Sequence, residues 1–483
     1  MTRRERLKAL GGASAIALVA VVAGRLVVLA NHPAVSDVTN YEGYTAVVVA
    51  MVADKLALPV PTGVDSPGDL SRASNNTIVE YPPLAIAFMA ATGFNVADDD
   101  RTYPDAYADQ YRAVMLLIDL VVLVILFVVH DRFANPGVPI MSPTRAVALY
   151  GLGGLAFAYL IYDRLDLVVG ALLLLALLVL ICGWWRTSFV LLTLAIGFKA
   201  VPIVLVPLWI LGSLPSRLQP RSSTQLRPLV RLIVTRSLVM AAATAVWFVP
   251  FALVVGGRAV DFVRFNALRG VQVESVLSSI LLAGQPLGAP VRVAFQFGAL
   301  EVRSTAAPVL SGLSPLLVLL AGIGATAGYA HAAWHAGTGL RDPVQSQPAR
   351  TRLLASAEPQ RFVAATLLVL LVTIVLSKVL SPQYLLWLLP IVPAFAVDSV
   401  VTRRFQLGFL AACFLSAVIY PILYDSQFQQ PGPDGGFLAP GPLGALVLLL
   451  RNAILVVLVL LLLKPVMKNA AFVPSSRRPL DRS

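Results

Sequence analysis

Long apolar runs alternate with short polar breaks along almost the whole chain. Runs rich in Leu, Val, Ala and Ile fall at about 12–30, 82–97, 111–130, 144–162, 166–183, 188–213, 232–256, 308–332, 362–380, 384–400, 405–424 and 441–463. Inside hydrocarbon every backbone N–H and C=O must be paired within its own segment, and runs this long achieve that as helices. The period-two alternation of barrel strands is not seen. The pattern therefore predicts an all-α fold, a polytopic transmembrane helix bundle forming a single domain over 1–483. Twelve spans are expected. The runs 82–97 and 384–400 fall short of the ~20 residues that cross ~30 Å of hydrocarbon, so they are read as tilted, broken or re-entrant, and eleven spans is the alternative.

The polar breaks set the topology. Counting twelve spans from a cytoplasmic start places both termini inside, with a basic tail at 464–483. It places the loops 31–81 and 257–307 outside, along with a shorter one at 425–440. In the first loop Tyr44, Val47, Val48, Met51 and Val52 recur at helical spacing, which predicts an interfacial helix lying on the bilayer. No repeat relates the two halves of the chain, which weighs against a transporter built from inverted repeats.

Composition agrees with the pattern, since 58% of residues are hydrophobic and 13% charged. A net charge of +12 raises the question of nucleic acid, but placement answers it. Of 37 Lys and Arg, 23 fall at the inner loops and ends, 11 outside and 3 within spans, the bias that orients membrane proteins. No nucleic-acid partner is needed. Cys182 and Cys413 lie inside apolar runs and suggest neither a disulfide framework nor a metal site.

Several polar residues could carry chemistry. Asp37 follows the first span, at a depth where a carboxylate stays hydrated enough to act as a general base, with Tyr41 nearby to orient it. A solvated loop aspartate is the plainer reading. Glu80 precedes Tyr81-Pro82-Pro83, a pattern that helix-start preferences also explain. Arg264, Arg269, Gln272 and Glu274 occur in RFNALRGVQVES on the side disfavoured for cations, where a guanidinium suits a phosphate. A local Arg269–Glu274 pair on a surface helix is the alternative. Lys378, Gln383, Tyr384 and Trp387 occur in SKVLSPQYLLW, and an ammonium there also suits phosphate, although Tyr and Trp favour that depth without any ligand. Lys199 is ionisable within an apolar run and so is a functional suspect, unless it snorkels. Asp163, Arg164 and Asp166 lie inside with twelve helices and join the outer residues with eleven. His331 and His335 have a zinc-compatible spacing but no third ligand beside them in the sequence.

An early outer-loop aspartate, EYPPL opening a later run, FKAVPIVLVPLW, RGVQVES and SPQYLLWLLP together resemble the polytopic GT-C glycosyltransferases. The pattern is most similar to glycosyltransferase family 87, which includes polyprenyl-phosphate-dependent mannosyl- and arabinofuranosyltransferases of the cell envelope. The resemblance spans about residues 30–400. It implies an inverting transfer on the outer face of the cytoplasmic membrane, from a polyprenyl-phosphate sugar donor to a glycolipid or glycan acceptor. The first-loop aspartate, here Asp37, is then the catalytic base, with Glu80 and Asp54 as substitutes. Tyr41, Glu80, Tyr81, Arg264, Arg269, Glu274, Lys378, Gln383 and Tyr384 would form the substrate site. No cofactor is implied beyond the lipid-linked sugar, and the first loop lacks a clear D-x-D, so no metal site is assigned. The competing readings are a lipid or solute transporter of the envelope, marked by Lys199 and the short spans, and a non-catalytic membrane partner.

Overall fold

A computed structural model describes residues 3–31, 38, 41, 80–93, 103–132, 142–214, 226–284, 291–336, 357–397, 399–432 and 437–467. Asp37, Asp54 and all of the expected first-loop helix but Tyr41 lie outside these residues. Seven described helical stretches are long and apolar enough to cross a membrane, from Gly12–Ala30 to Pro442–Met467. The protein is a multi-pass, mostly helical membrane protein.

The helices are α1 (Arg3–Ala30), α2 (Pro83–Gly93), α3 (Tyr103–Arg132), α4 (Pro143–Ala156), α5 (Asp166–Ile181) and α6 (Trp185–Phe198). They are followed by α7 (Val206–Gly212), α8 (Leu226–Val255), α9 (Asp261–Leu268) and α10 (Val276–Ala283). After a hairpin of β1 (Arg292–Gln296) and β2 (Ala299–Arg303) come α11 (Ala307–Ala336), α12 (Ala357–Leu376), α13 (Ser399–Ala417) and α14 (Pro442–Met467). The most buried long helix is Glu358–Leu376, 94% of whose apolar stretch is enclosed, against 11% for Gly12–Ala30. An apolar surface all round suits the centre of a bundle, so α12 forms its axis and α1 lies at its periphery. A second, smaller core of Val271, Val273, Leu300, Val302 and Leu448 joins the 257–307 segment to α14.

Contacts fix which helix ends lie together. At one end Ser14 meets Thr144 at 2.6 Å, His130 meets the Pro393 carbonyl at 2.9 Å, and Gln360 donates to the Ala394 carbonyl at 2.9 Å. At the other, Arg112 pairs with Asp163 at 2.8 Å and Lys199 with Asp166 at 3.3 Å. The start of α1 and the end of α14, whose Met467 approaches Gly328, lie at the first end.

Two apolar runs depart from the expected count. The described part of the run at 82–97 is a helix of 11 residues, about 16 Å long at ~1.5 Å per residue, too short by itself to cross. Phe88 of α2 packs on Phe198 and Tyr111, and the Met89 carbonyl accepts the Tyr107 hydroxyl, so α2 stays at the Lys199 end. The run at 188–213 is instead two legs. Helix α6 stops at Lys199, which is extended, and the chain returns through a 3-10 turn (Val201–Leu205) and α7. Pro202 and Pro207 supply no N–H to continue a helix, which accounts for the break. Trp209 donates to Ser188 at 2.9 Å, confirming that the legs are antiparallel. One run lost and one doubled leave the total and the later topology unchanged, but they reverse everything from α3 to the start of α6. Asp163, Arg164 and Asp166 thereby lie at the same end as Glu80 and Lys378, the placement that the eleven-span alternative gave them.

The run at 384–400 crosses without an α-helix. From Ser381 to Phe395 it is held by 3-10 bonds such as Tyr384 N–H to Ser381 O and Leu388 N–H to Leu385 O. Pro382, Pro390 and Pro393 forbid a regular helix, and burial of nearly every residue shields the irregular backbone from lipid. The hairpin was not expected from the sequence. Its strands pair antiparallel, with Ala294 opposite Glu301 and a turn at Phe297 and Gly298.

Candidate functional site

The segments RGVQVES and SPQYLLW, about a hundred positions apart in sequence, are adjacent in space. Val302 N–H donates to Val271 O and Val273 N–H to Leu300 O, so residues 271–273 extend the hairpin as a third strand-like stretch. On its other side Gln272 N–H donates to Lys378 O at 2.8 Å, and the Gln272 amide donates to Ser381 Oγ at 3.1 Å. Gly270 donates its N–H to Glu301 Oε1, and a Cβ there would sit 2.6 Å from Glu301 Oε2, so a larger residue would have to push the Glu301 carboxylate aside.

Lys378 and Arg269 emerge from this junction. The Lys378 ammonium donates to the carbonyls of Ala267 (3.1 Å) and Arg269 (2.5 Å), closing the end of α9 and leaving one of its three donors over. Burial lowers its pKa from the usual lysine range, the nearby Glu301 carboxylate opposes this, and Arg269 adds to it. Arg269 is buried beside the Phe265 ring, with Nη1 4.0 Å from Glu80 Oε1. Its Nε has no hydrogen-bond partner among the described residues.

Both cations line a cavity of about 900 Å³ between α9, α11, the end of α12 and the turn after α6. Apolar side chains such as Val201, Val204, Val263, Pro315 and Val318 form much of its wall, and Tyr384 closes one side. Such a space has the size and character of a small-molecule or lipid-chain site.

Beyond Tyr384 lies a polar cluster. Asp166 accepts from Trp387 Nε1 at 2.6 Å and pairs with Lys199. Lys199 lies 5.6 Å from the Tyr81 ring centroid and 5.4 Å from that of Tyr384. Tyr81 packs edge-on against Tyr41, which in turn contacts Tyr111.

Of the residues expected to act together, Glu80, Tyr81, Tyr41, Arg269, Lys378 and Tyr384 gather at this end. Gln383 is buried beside Tyr384. Arg264 is exposed on α9 and does not line the cavity. Glu274 does not pair with Arg269. It is buried against Arg451 of α14 at 3.7 Å, and its carbonyl accepts from Arg451 at 2.6 Å, tying the 257–307 segment to that helix. Burial raises the Glu274 carboxyl to about 7, against the opposing pull of Arg451. Asp37, the expected base, lies outside the described residues, one position before the buried Val38. The His331 and His335 rings meet edge to face, with centroids 4.3 Å apart, and among the described residues no group of three or more His, Cys, Asp and Glu gathers.

Sequence reasoning singled out Lys199 but did not pair it, and it passed over Asp119. That carboxylate is fully buried and binds Arg25 at 2.9 Å, Tyr150 at 2.5 Å and Tyr162 at 2.8 Å. The available signal was a charge inside each of two apolar runs, since buried charges in membrane helices are normally paired.

The chain matches no protein-family model and no curated protein sequence. The class established by the structure is that of a multi-pass membrane protein with a polar site at one end of its bundle.

Proposed function

We propose that the protein is an inverting glycosyltransferase of GT-C type, moving mannose or arabinofuranose from a polyprenyl-phosphate donor to a lipid-linked or polysaccharide acceptor. The observation that carries this reading is Arg269, beside Glu80 and with an Nε that has no partner among the described residues, lining with Lys378 an apolar-walled cavity of about 900 Å³. Transfer from a phosphate-linked lipid needs a hydrophobic recess for the chain, cations for the leaving phosphate and a carboxylate for the acceptor proton.

In the reaction the acceptor hydroxyl attacks the anomeric carbon from the face opposite the phosphate and gives its proton to a carboxylate. The anomeric C–O bond breaks, its electron pair stays with the phosphate, and Arg269 and Lys378 stabilise that charge. Asp37 is the base that the family resemblance assigns, with Glu80 and Asp54 as substitutes. The site end faces outside and the basic end faces the cytoplasm, in keeping with the 23 to 11 distribution of Lys and Arg.

The test is transfer by the purified protein from a panel of polyprenyl-phosphate sugars, followed by mass spectrometry. Product with inverted anomeric configuration supports the reading. The transporter alternative draws on the buried Arg25–Asp119 pair, because charges inside a membrane bundle also mark transport pathways. Lipid or solute movement in proteoliposomes with no sugar transfer would favour it.

A further inference from the structure

The transfer chemistry leaves the Asp166–Lys199 cluster without a task. Asp166 begins α5, Lys199 ends α6, and the pair lies deep, with side-chain exposures of 1% and 16%. One carboxylate oxygen is fully used, since Oδ1 takes both Lys199 and the Trp387 N–H. Oδ2 is equally buried and has no partner among the described residues. An ion-pair staple between helices accounts for Oδ1 and leaves Oδ2 unexplained, and a bare buried carboxylate oxygen is costly. The ammonium likewise keeps donors beyond the one directed at Asp166.

Aromatic surface surrounds this charge pair. The rings of Tyr81 and Tyr384 flank the ammonium at 5.6 and 5.4 Å, and Tyr384 stacks on Trp387 at 4.4 Å and 18°. Because Tyr384 also lines the large cavity, the cluster adjoins the lipid-sized space across a single ring. A hydrocarbon chain would leave Oδ2 unpaired, and a second phosphate would meet the Asp166 carboxylate. A sugar suits all the parts. Its C–H faces lie against aromatic rings, and its hydroxyls donate to a carboxylate and accept from an ammonium.

We propose that Asp166, Lys199, Tyr81 and Tyr384 form the pocket for the sugar of the lipid-linked substrate, with Asp166 Oδ2 accepting a sugar hydroxyl. This rests on the glycosyltransferase reading. Asp166 is thereby a binding residue, and through Trp387 it also positions Tyr384.

The test measures dissociation constants of the full-length protein in nanodiscs for two probes. One is a bare polyprenyl phosphate, and the other is the same lipid carrying mannose or arabinofuranose. The parent protein should bind the sugar-bearing lipid more tightly. Asp166→Asn and Lys199→Gln should each lose about tenfold or more of that preference, the loss expected for a charge-assisted hydrogen bond, with affinity for the bare lipid unchanged. Arg269→Gln should weaken both probes together. Survival of the sugar preference in both variants, each monodisperse and folded, would overturn the pocket while leaving the glycosyltransferase reading intact. A parent protein that neither prefers the sugar-bearing lipid nor transfers sugar would overturn both. Should Asp166→Asn fail to fold, Lys199→Gln and Lys199→Arg decide, the arginine restoring part of the preference if the cation acts on the sugar.

Discussion

Asp119→Asn is expected to destabilise the protein by about 3–5 kcal/mol, the usual cost of stranding one partner of a buried ion pair. Asp119 and Arg25 both have side chains with 0% exposure, and they meet at 2.9 Å. Two tyrosine hydroxyls complete the carboxylate's shell, from Tyr150 and Tyr162. The asparagine keeps the shape and an acceptor but leaves the guanidinium uncompensated. Arg25→Met should cost a comparable amount by stranding the carboxylate. The double variant Arg25→Met/Asp119→Leu should cost much less than the sum, because no charge remains. Only the two tyrosine hydroxyls then lose an acceptor, at about 1 kcal/mol each. Gly154 gives an independent route to the same loss: a Cβ there would stand 1.8 Å from Arg25 Nη2, so Gly154→Ala must displace the guanidinium. Equilibrium unfolding of the purified variants, arranged as a double-mutant cycle, measures the coupling. Costs below ~1 kcal/mol for Asp119→Asn, or single costs that simply add, would refute the claim that this pair holds α1 to the bundle. Because α1 leads into the loop carrying Asp37, the same variants should lose turnover where they lose α1.

Asp37→Asn should lower sugar transfer by ~10²–10⁴ with donor binding retained, the range for loss of a general base, and turnover within a few-fold of the parent would exclude it. Arg269→Gln and Lys378→Gln should each weaken donor binding, measured with polyprenyl-phosphate sugar; unchanged affinity and turnover would remove that residue from the phosphate site. In a protein freed of Cys182 and Cys413, an impermeant thiol reagent on intact cells should label Tyr159→Cys and spare Asp131→Cys. The twelve-run count gives the reverse. Glu274 has a folded pKa raised by burial to about 7 from 4.5. Stability tied to its protonated form is therefore full below about pH 4.5 and lost as pH rises through about 7. Thermal unfolding across pH 4–8 should show this decline in the parent and a flatter profile in Glu274→Gln.

Hydrophobic patterning alone determined that this chain is a helical membrane bundle, because in lipid the pairing of backbone groups leaves few other solutions. It also placed the breaks that carry chemistry: EYPPL, RGVQVES and SPQYLLW all reach one end of the bundle. Hydropathy could not tell a crossing from a helix lying at the bundle end, since α2 is as apolar as its neighbours and is merely short. Nor could it see the turn at Lys199, where proline divides one apolar run into two antiparallel legs. The charge count could not expose these two departures. Among the described residues, reversing the segments between them moves Arg132, Arg145 and Arg186 one way and Arg112 and Arg164 the other, leaving the bias nearly as it was. Pairing was decided by tertiary structure throughout. Arg269 faces Glu80 and not Glu274, Lys199 meets Asp166, and Arg25 meets Asp119. Each of these pairs joins separate helices or loops, so their geometry follows from how the segments pack, and no local spacing encodes it.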